Sequence, residues 1–278
     1  MLLFRRYSLV LWFGVILAFF SAAVMAQDSG WSAYKSRFLM PDGRIIDTAN
    51  KNVSHTEGQG FSMLLAVFND DQATFDKLWQ WANTTLYRKD IGLYSWRYDP
   101  NNSNHVADKN NASDGDTLMG WALLLAGEKW NDSRYTKASE KLQAALIKYN
   151  VIDYAGYKVM LPGVTGFNQT SNVTVNPSYF IFPAWQAFAD HTHLQVWRAL
   201  IQAGQPLLGK MGSGAANLPT AWMSLSAAGK PTPAEAWAPR ISHDAIRLTL
   251  CLTLYTRQRP QPTPWLVWYT PCNQTQPT

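Results

Sequence analysis

The sequence predicts an all-α fold, an array of helical hairpins. Apolar side chains recur at helical spacing from Trp31 to Tyr255, the runs are of similar length, and polar or proline-bearing stretches separate them. Trp31 to Phe38 is a short first helix and Met40 to Gly43 a turn. A second helix follows the Glu57 loop. A third, from about Asp71, places Phe75, Leu78, Trp79, Ala82 and Leu86 on one face. Gly92 to Pro100 alternates bulky residues and reads as a short strand or extended loop, and Asn101 to Asn111 is polar and turn-rich. Helices are expected from Ser113, ending at Gly127, and from Ser133, with Tyr135, Ala138, Leu142, Ala145 and Tyr149 inward.

Val151 to Val175 reads as a long irregular loop. Pro177 suits a helix start, and Pro183 is expected to kink or end that helix. Leu194, Trp197, Ile201 and Leu208 mark the next helix, and Met211 to Gly214 a linker turn. Pro219 opens a short helix with Trp222 and Leu225. Ile241, Ala245, Leu248, Leu252 and Tyr255 give the last helical face. From Arg257 to Thr278 the proline density excludes a helix.

The 278 residues, 47% of them hydrophobic, suit one large domain or two small ones. Residues 1–26 read as a signal peptide: Arg5 and Arg6, an apolar run from Leu9 to Phe20 that is short for a membrane span, then a small-x-small site at Val24 to Ala26. The expected organisation is therefore a leader at 1–26, a main helical domain at 27–256 and an atypical tail at 257–278, in a periplasmic or secreted protein. The net charge is +5, two units of which leave with the arginines of the leader, and no basic run gives footing for nucleic acid. The spacing of Cys251 and Cys272 does not decide whether they pair. Thirteen tryptophans and twelve tyrosines suit a core, and equally suit stacking against sugar rings.

Three acidic stretches stand at helix starts or in loops. Ser54 and Glu57 have capping-box spacing, but Gly58 and Gly60 follow at about 1 kcal/mol each relative to alanine, which suggests backbone kept bare for something approaching Glu57. Ser113 and Asp116 have the same spacing, Asp114 is placed to favour a helix dipole, and Asp244 is three residues before Arg247. Carboxylates gathered at one end of a helical array, beside tryptophans, would suit glycoside hydrolysis. His191 and His193 read as surface residues, since a structural zinc site wants four ligands. His55 reads as a loop contact.

Ser54-x-x-Glu57-Gly-Gln-Gly60, Ala112-Ser-Asp114-Gly-Asp116 with a following Trp121-Ala-Leu-Leu124, Asn176-Pro-Ser-Tyr179 and Asp244-Ala-Ile-Arg247 occur in this order. Together they resemble glycoside hydrolase family 8, most of all the periplasmic endoglucanases that accompany bacterial cellulose synthesis. The similarity runs from about residue 30 to 250. It implies an (α/α)6 barrel and an inverting endo-β-1,4-glucanase acting on cellulose chains as a monomer without metal or cofactor, with a functional link to a cellulose synthase complex. Glu57 matches the family's general acid, Asp244 its general base and Asp114 the residue holding the sugar beside the scissile bond. Asp116, Trp96, Tyr179 and Arg247 match substrate-binding positions near that subsite.

A helix N-terminus lowers a carboxyl pKa by about a unit or less, whereas burial raises it by up to about 3–5 units, so aromatic neighbours are expected to keep Glu57 protonated. Two departures stand out. His243 takes the place of a tyrosine, and about nine helices are counted where the barrel needs twelve, as a frameshift or early stop would produce. A carbohydrate-binding remnant without turnover, or a family 8 enzyme acting on chitosan or xylan, are the competing expectations.

Overall fold

The computed structural model describes residues 30–212, 219–236 and 243–257, with the side chains at 243–246, 249, 256 and 257 excepted. The expected leader, the tail beyond Arg257, Ser213 and Gly214 of the glycine turn, Ile241 of the last helical face and Cys272 lie outside the described residues. Eight α-helices are described: α1 (30–38), α2 (Thr56–Phe68), α3 (Gln72–Thr85), α4 (Ser113–Trp130), α5 (Ser133–Asn150), α6 (Phe182–Thr192), α7 (Gln195–Lys210) and α8 (His243–Arg257). None is long and apolar enough to cross a membrane.

The even-numbered helices form an inner layer, α2 against α4, α4 against α6 and α6 against α8. Outside it α3 packs on α2, α5 on α4 and α7 on α6. The sequence explains this division. α4 carries no charged side chain between Asp116 and Glu128 and is buried nearly all round, as an apolar helix must be. By contrast, α5 buries only a stripe, Tyr135, Ser139, Leu142, Leu146 and Asn150 among it, and turns Lys137 and Lys141 outward. Residues 69–71, 131–132 and 193–194 are all that join α2 to α3, α4 to α5 and α6 to α7. Connections that short make antiparallel neighbours. Asn131 and His193 close two of these corners in the left-handed conformation. The connections at the other end are long: 39–55, 86–112, 151–181 and 211–242.

The α2–α4 crossing depends on bare backbone. A Cβ at Gly60 would lie 2.7 Å from the Leu118 Cβ, and one at Gly115 would lie 2.8 Å from the Thr56 carbonyl carbon. Gly60 is therefore bare for a neighbouring helix, not for a ligand. Gln59 between the glycines is fully buried; its Nε2 donates to the Gly43 and Leu78 carbonyls (2.7 and 3.0 Å) and its Oε1 accepts from Ile45 N (3.1 Å). Neither expected capping box forms: His55 and Ala112 are the N-caps, without side-chain cap bonds. Asp71 does cap α3. Burial alone would raise its carboxyl, but Lys35 (2.6 Å), Thr74 and the Trp31 indole hydrogen-bond it and hold it well below the usual range, clamping α1 to α3.

Short antiparallel strands fill the long connections. Strand β1 (Ser54–His55) pairs with β4 (Arg97–Tyr98), and β2 (Tyr87–Arg88) with β3 (Leu93–Tyr94). The segment expected as an irregular loop instead holds a hairpin, β5 (Val151–Tyr154) with β6 (Tyr157–Met160). Its two-residue turn needs positive φ at Ala155 (50°) and Gly156 (80°), and alanine there conceals the signal. β7 (Asn172–Val175), β8 (Met223–Ser226) and β9 (Pro231–Pro233) form a sheet in that order. The expected helix at Trp222 to Leu225 is thus a strand: Met223 and Leu225 are buried and Ser224 and Ser226 half-buried, a period of two. Pro183 opens α6 rather than ending a helix, and Pro177 begins only a 3₁₀ turn to Tyr179. α4 runs past Gly127 to Trp130, and on α3 Trp81, not Trp79, is buried.

Candidate active site

First turns of inner helices bring the charges together. Glu57 is on the first turn of α2, Asp114 on that of α4 and Arg247 near the start of α8. Arg247 Nη1 lies 3.0 Å from Glu57 Oε1 and 2.5 Å from Asp114 Oδ2. Its Nη2 donates to Ser178 Oγ at 3.3 Å, and its guanidinium carbon stands 5.5 Å from the centre of the Tyr179 ring. Asp114 also accepts from Gly115 N at 2.8 Å.

The two carboxylates differ in access. The side chain of Asp114 is 2% exposed and that of Glu57 36%. Glu57 thus keeps contact with water and with a guanidinium. Asp244 is on α8 three residues before Arg247, and its side chain lies outside the described residues. The expected Asp244–Arg247 pair is thus not described, while the described partners of Arg247 include Glu57 and Asp114.

Asp116 is placed differently from the sugar-side position expected for it. It is fully buried, with Oδ1 accepting from Tyr94 N (3.1 Å) and Oδ2 from Asn111 Nδ2 (2.9 Å). Burial pushes its carboxyl up to about 7 against those two bonds, with the Asp114 charge adding to the push. Residues two apart on a helix point to different sides, so one motif turns Asp114 toward Arg247 and Asp116 toward Tyr94 and Asn111.

Trp96 is half-buried and fixed from several directions. Its indole N–H donates to Asp108 Oδ2 at 2.8 Å, its ring stacks on His55 (5.5 Å, 11°), and its own N–H donates to Asn110 O at 2.9 Å. Burial lowers the His55 imidazole below its ordinary value, assisted by Arg97 and opposed by Asp47 and Asp114. On the other side Tyr179 meets Trp222 edge-on at 6.1 Å, and Trp222 stacks on Phe167 at 5.6 Å and 7°. Trp222, Phe167, Asp108 and Ser178 are additions to the expected site residues. Ser178 stands within the Asn176 to Tyr179 motif, but nothing local in the sequence marks Trp222 or Phe167.

His191 Nε2 sits 3.0 Å from Glu140 Oε1, and His193 caps α6. Among the described residues no group of three or more His, Cys, Asp or Glu side chains is placed to hold a metal ion. Cys251 is buried on α8, and burial pushes its thiol up to about 12.

Residues 6–277 match the family described as glycosyl hydrolases family 8. The chain belongs to family 8. An endoglucanase of Cellulomonas uda is 56% identical over 240 residues, 86% of this chain and 67% of that one. An endoglucanase structure from Klebsiella pneumoniae, described as a family 8 glycosyl hydrolase, superposes with a TM-score of 0.85 at 56% identity, covering 90% of this chain and 79% of that one. An endo-β-1,4-glucanase structure from Acetobacter xylinum gives 0.80 at 33% identity, covering 84% and 74%. The alternation of inner and outer helices is that of the family 8 (α/α)6 barrel.

Proposed function

We propose that this family 8 glycoside hydrolase is an inverting endo-β-1,4-glucanase that cuts cellulose chains outside the cytoplasm, as a monomer working alongside cellulose synthesis. The observation that carries the reading is the convergence of Glu57 and Asp114 on Arg247, with Asp244 one helical turn before that arginine. The names of the Cellulomonas, Klebsiella and Acetobacter relatives support it. The export signal read in residues 1–26 supports action outside the cytoplasm.

In this scheme Glu57 protonates the leaving glycosidic oxygen while Asp244 activates a water on the opposite face of the ring, across a gap of roughly 6.5–9.5 Å in inverting enzymes. Asp114, buried and held by Arg247, is a fixed acceptor for a sugar hydroxyl. The acid must carry a proton, and the bound chain supplies the remaining desolvation by covering the exposed part of Glu57. Tyr179 and Trp222 offer ring faces for sugar stacking.

Glu57→Gln keeps the shape but removes the proton. It is expected to lower release of reducing ends from carboxymethyl cellulose by roughly 10²–10⁴-fold while oligosaccharide binding, followed by calorimetry, stays near normal. Turnover close to the native rate would refute the assignment of Glu57. Early product followed by NMR is expected in the inverted anomer. Binding by the native chain with no turnover would favour a carbohydrate-binding protein instead.

A further inference from the structure

The catalytic scheme leaves one buried carboxylate of α4 without a task. Asp116 is fully buried, and both of its oxygens are bound from inside. Burying such a group is costly unless its hydrogen bonds compensate, so what those bonds hold matters.

They hold the segments around Trp96. Tyr94, whose N–H meets Asp116, is two residues from Trp96 on the same short segment. Asn111, the other partner, accepts from Val164 N at 2.8 Å and donates to Asn150 Oδ1 at 3.2 Å, and Asn150 in turn reaches Leu161 O at 3.2 Å. The stretch ending at Asn111 also carries Asp108, which takes the Trp96 indole N–H, and Asn110, which takes its backbone N–H. Two of the segments that hold Trp96, the Tyr94 stretch and the one ending at Asn111, are therefore tied to one side chain, while His55 and Thr56 hold it from a third. That side chain shares a helical turn with Asp114.

We propose that Asp116 is a positioning residue for substrate binding: it sets the Trp96 ring relative to the Asp114 carboxylate, so that both engage one glucan chain, and it does not touch the chain itself. The inference rests on reading the cleft as a glucan site with Trp96 and Asp114 in contact with sugars. A group that merely welded the fold would weaken the protein without regard to Trp96.

A double-mutant cycle separates the two roles. Asp116→Asn keeps an acceptor for the Tyr94 N–H but sets one amide against another at Asn111. Asn111→Ala cuts the same tie from outside α4, and carries the cycle if Asp116→Asn does not fold. KM and kcat for cellohexaose are measured for each variant in the native and Trp96→Ala backgrounds, at a temperature where melting curves show all of them folded. The expected result is a KM raised about tenfold with a much smaller fall in kcat, shrinking to less than about twofold once Trp96 is alanine. An undiminished KM effect in the Trp96→Ala background overturns the proposal, as does a native KM or a kcat loss equal to the KM rise. An unchanged KM in Trp96→Ala alone overturns the glucan reading at that residue, and the inference with it.

Discussion

On one side of Arg247, Glu57 and Asp114 stand on the first turns of helices that touch along bare glycine backbone; on the other, Tyr179 ends a 3₁₀ turn and Trp222 immediately precedes a strand. The helical side places charges at fixed points, because a residue in the first turn cannot move without the helix. The strand side presents ring faces, whose contact with a sugar tolerates small shifts. Arg247 reaches across, bonded to Glu57 and Asp114 on one side and to Ser178 and the Tyr179 ring on the other. The pairing suggests that rate depends on the helical side and affinity on the strand side.

Removing the bridge is expected to have the largest effect. Arg247→Ala leaves Asp114 buried without its cation, and kcat/KM is expected to fall about 10³-fold, roughly 4 kcal/mol of transition-state stabilisation. Steady-state kinetics on a soluble glucan checks this, and a loss under tenfold would break the comparison at its centre. Next comes the helical side itself. In Gly115→Ala the new methyl group meets the Thr56 backbone, and overpacking of this kind costs about 1–3 kcal/mol. Urea denaturation is expected to show it, with kcat reduced because Glu57 is displaced along with Thr56.

A smaller change of a different kind is expected on the strand side. Trp222→Ala forfeits stacking worth about 1 kcal/mol, so KM rises severalfold while kcat holds. Equal losses in kcat and KM would show that the two sides do not divide the work in this way.

The smallest effect is in stability against pH. The folded state holds a proton on Asp116 up to about 7, whereas the unfolded chain releases it near 3.8. The folded state therefore binds more protons between those values, and this contribution is lost as pH rises through 7. From pH 6 to 8 it amounts to about 1 kcal/mol. His55 acts in the opposite sense: with its folded value lowered, it destabilises the protein as pH falls below 6.5. Comparing melting curves of the native protein and Asp116→Asn isolates the aspartate, since the variant is expected to lack its share of the slope.

Much of the helical side is legible in the sequence and little of the strand side, for a physical reason. The helical period of α3 and α5 is local and can be read from the residues, whereas Glu57, Asp114 and Arg247 are grouped by the resemblance to family 8 rather than by their order alone. What remains hidden is direction: Asp114 and Asp116 read as one motif until burial separates them. Trp222 and Phe167 are invisible because pairing of β8 with the distant β7 sets their position, while the spacing from Trp222 to Leu225 imitates a helix. The glycines after Glu57 do mark a demand for bare backbone, but at Gly60 it is Leu118, not a ligand, that makes the demand.

The corners between inner and outer helices have only two or three residues, while the connections at the cleft end run to many times that. New segments can be accepted at one pole without disturbing the other. A barrel wound in this way keeps its architecture at one end and its vocabulary at the other. Insertions among residues 99–110 or 161–172 would rewrite which chains the cleft admits, whereas a single residue added between Asn131 and Asp132 would turn α5 out of register with everything it packs against.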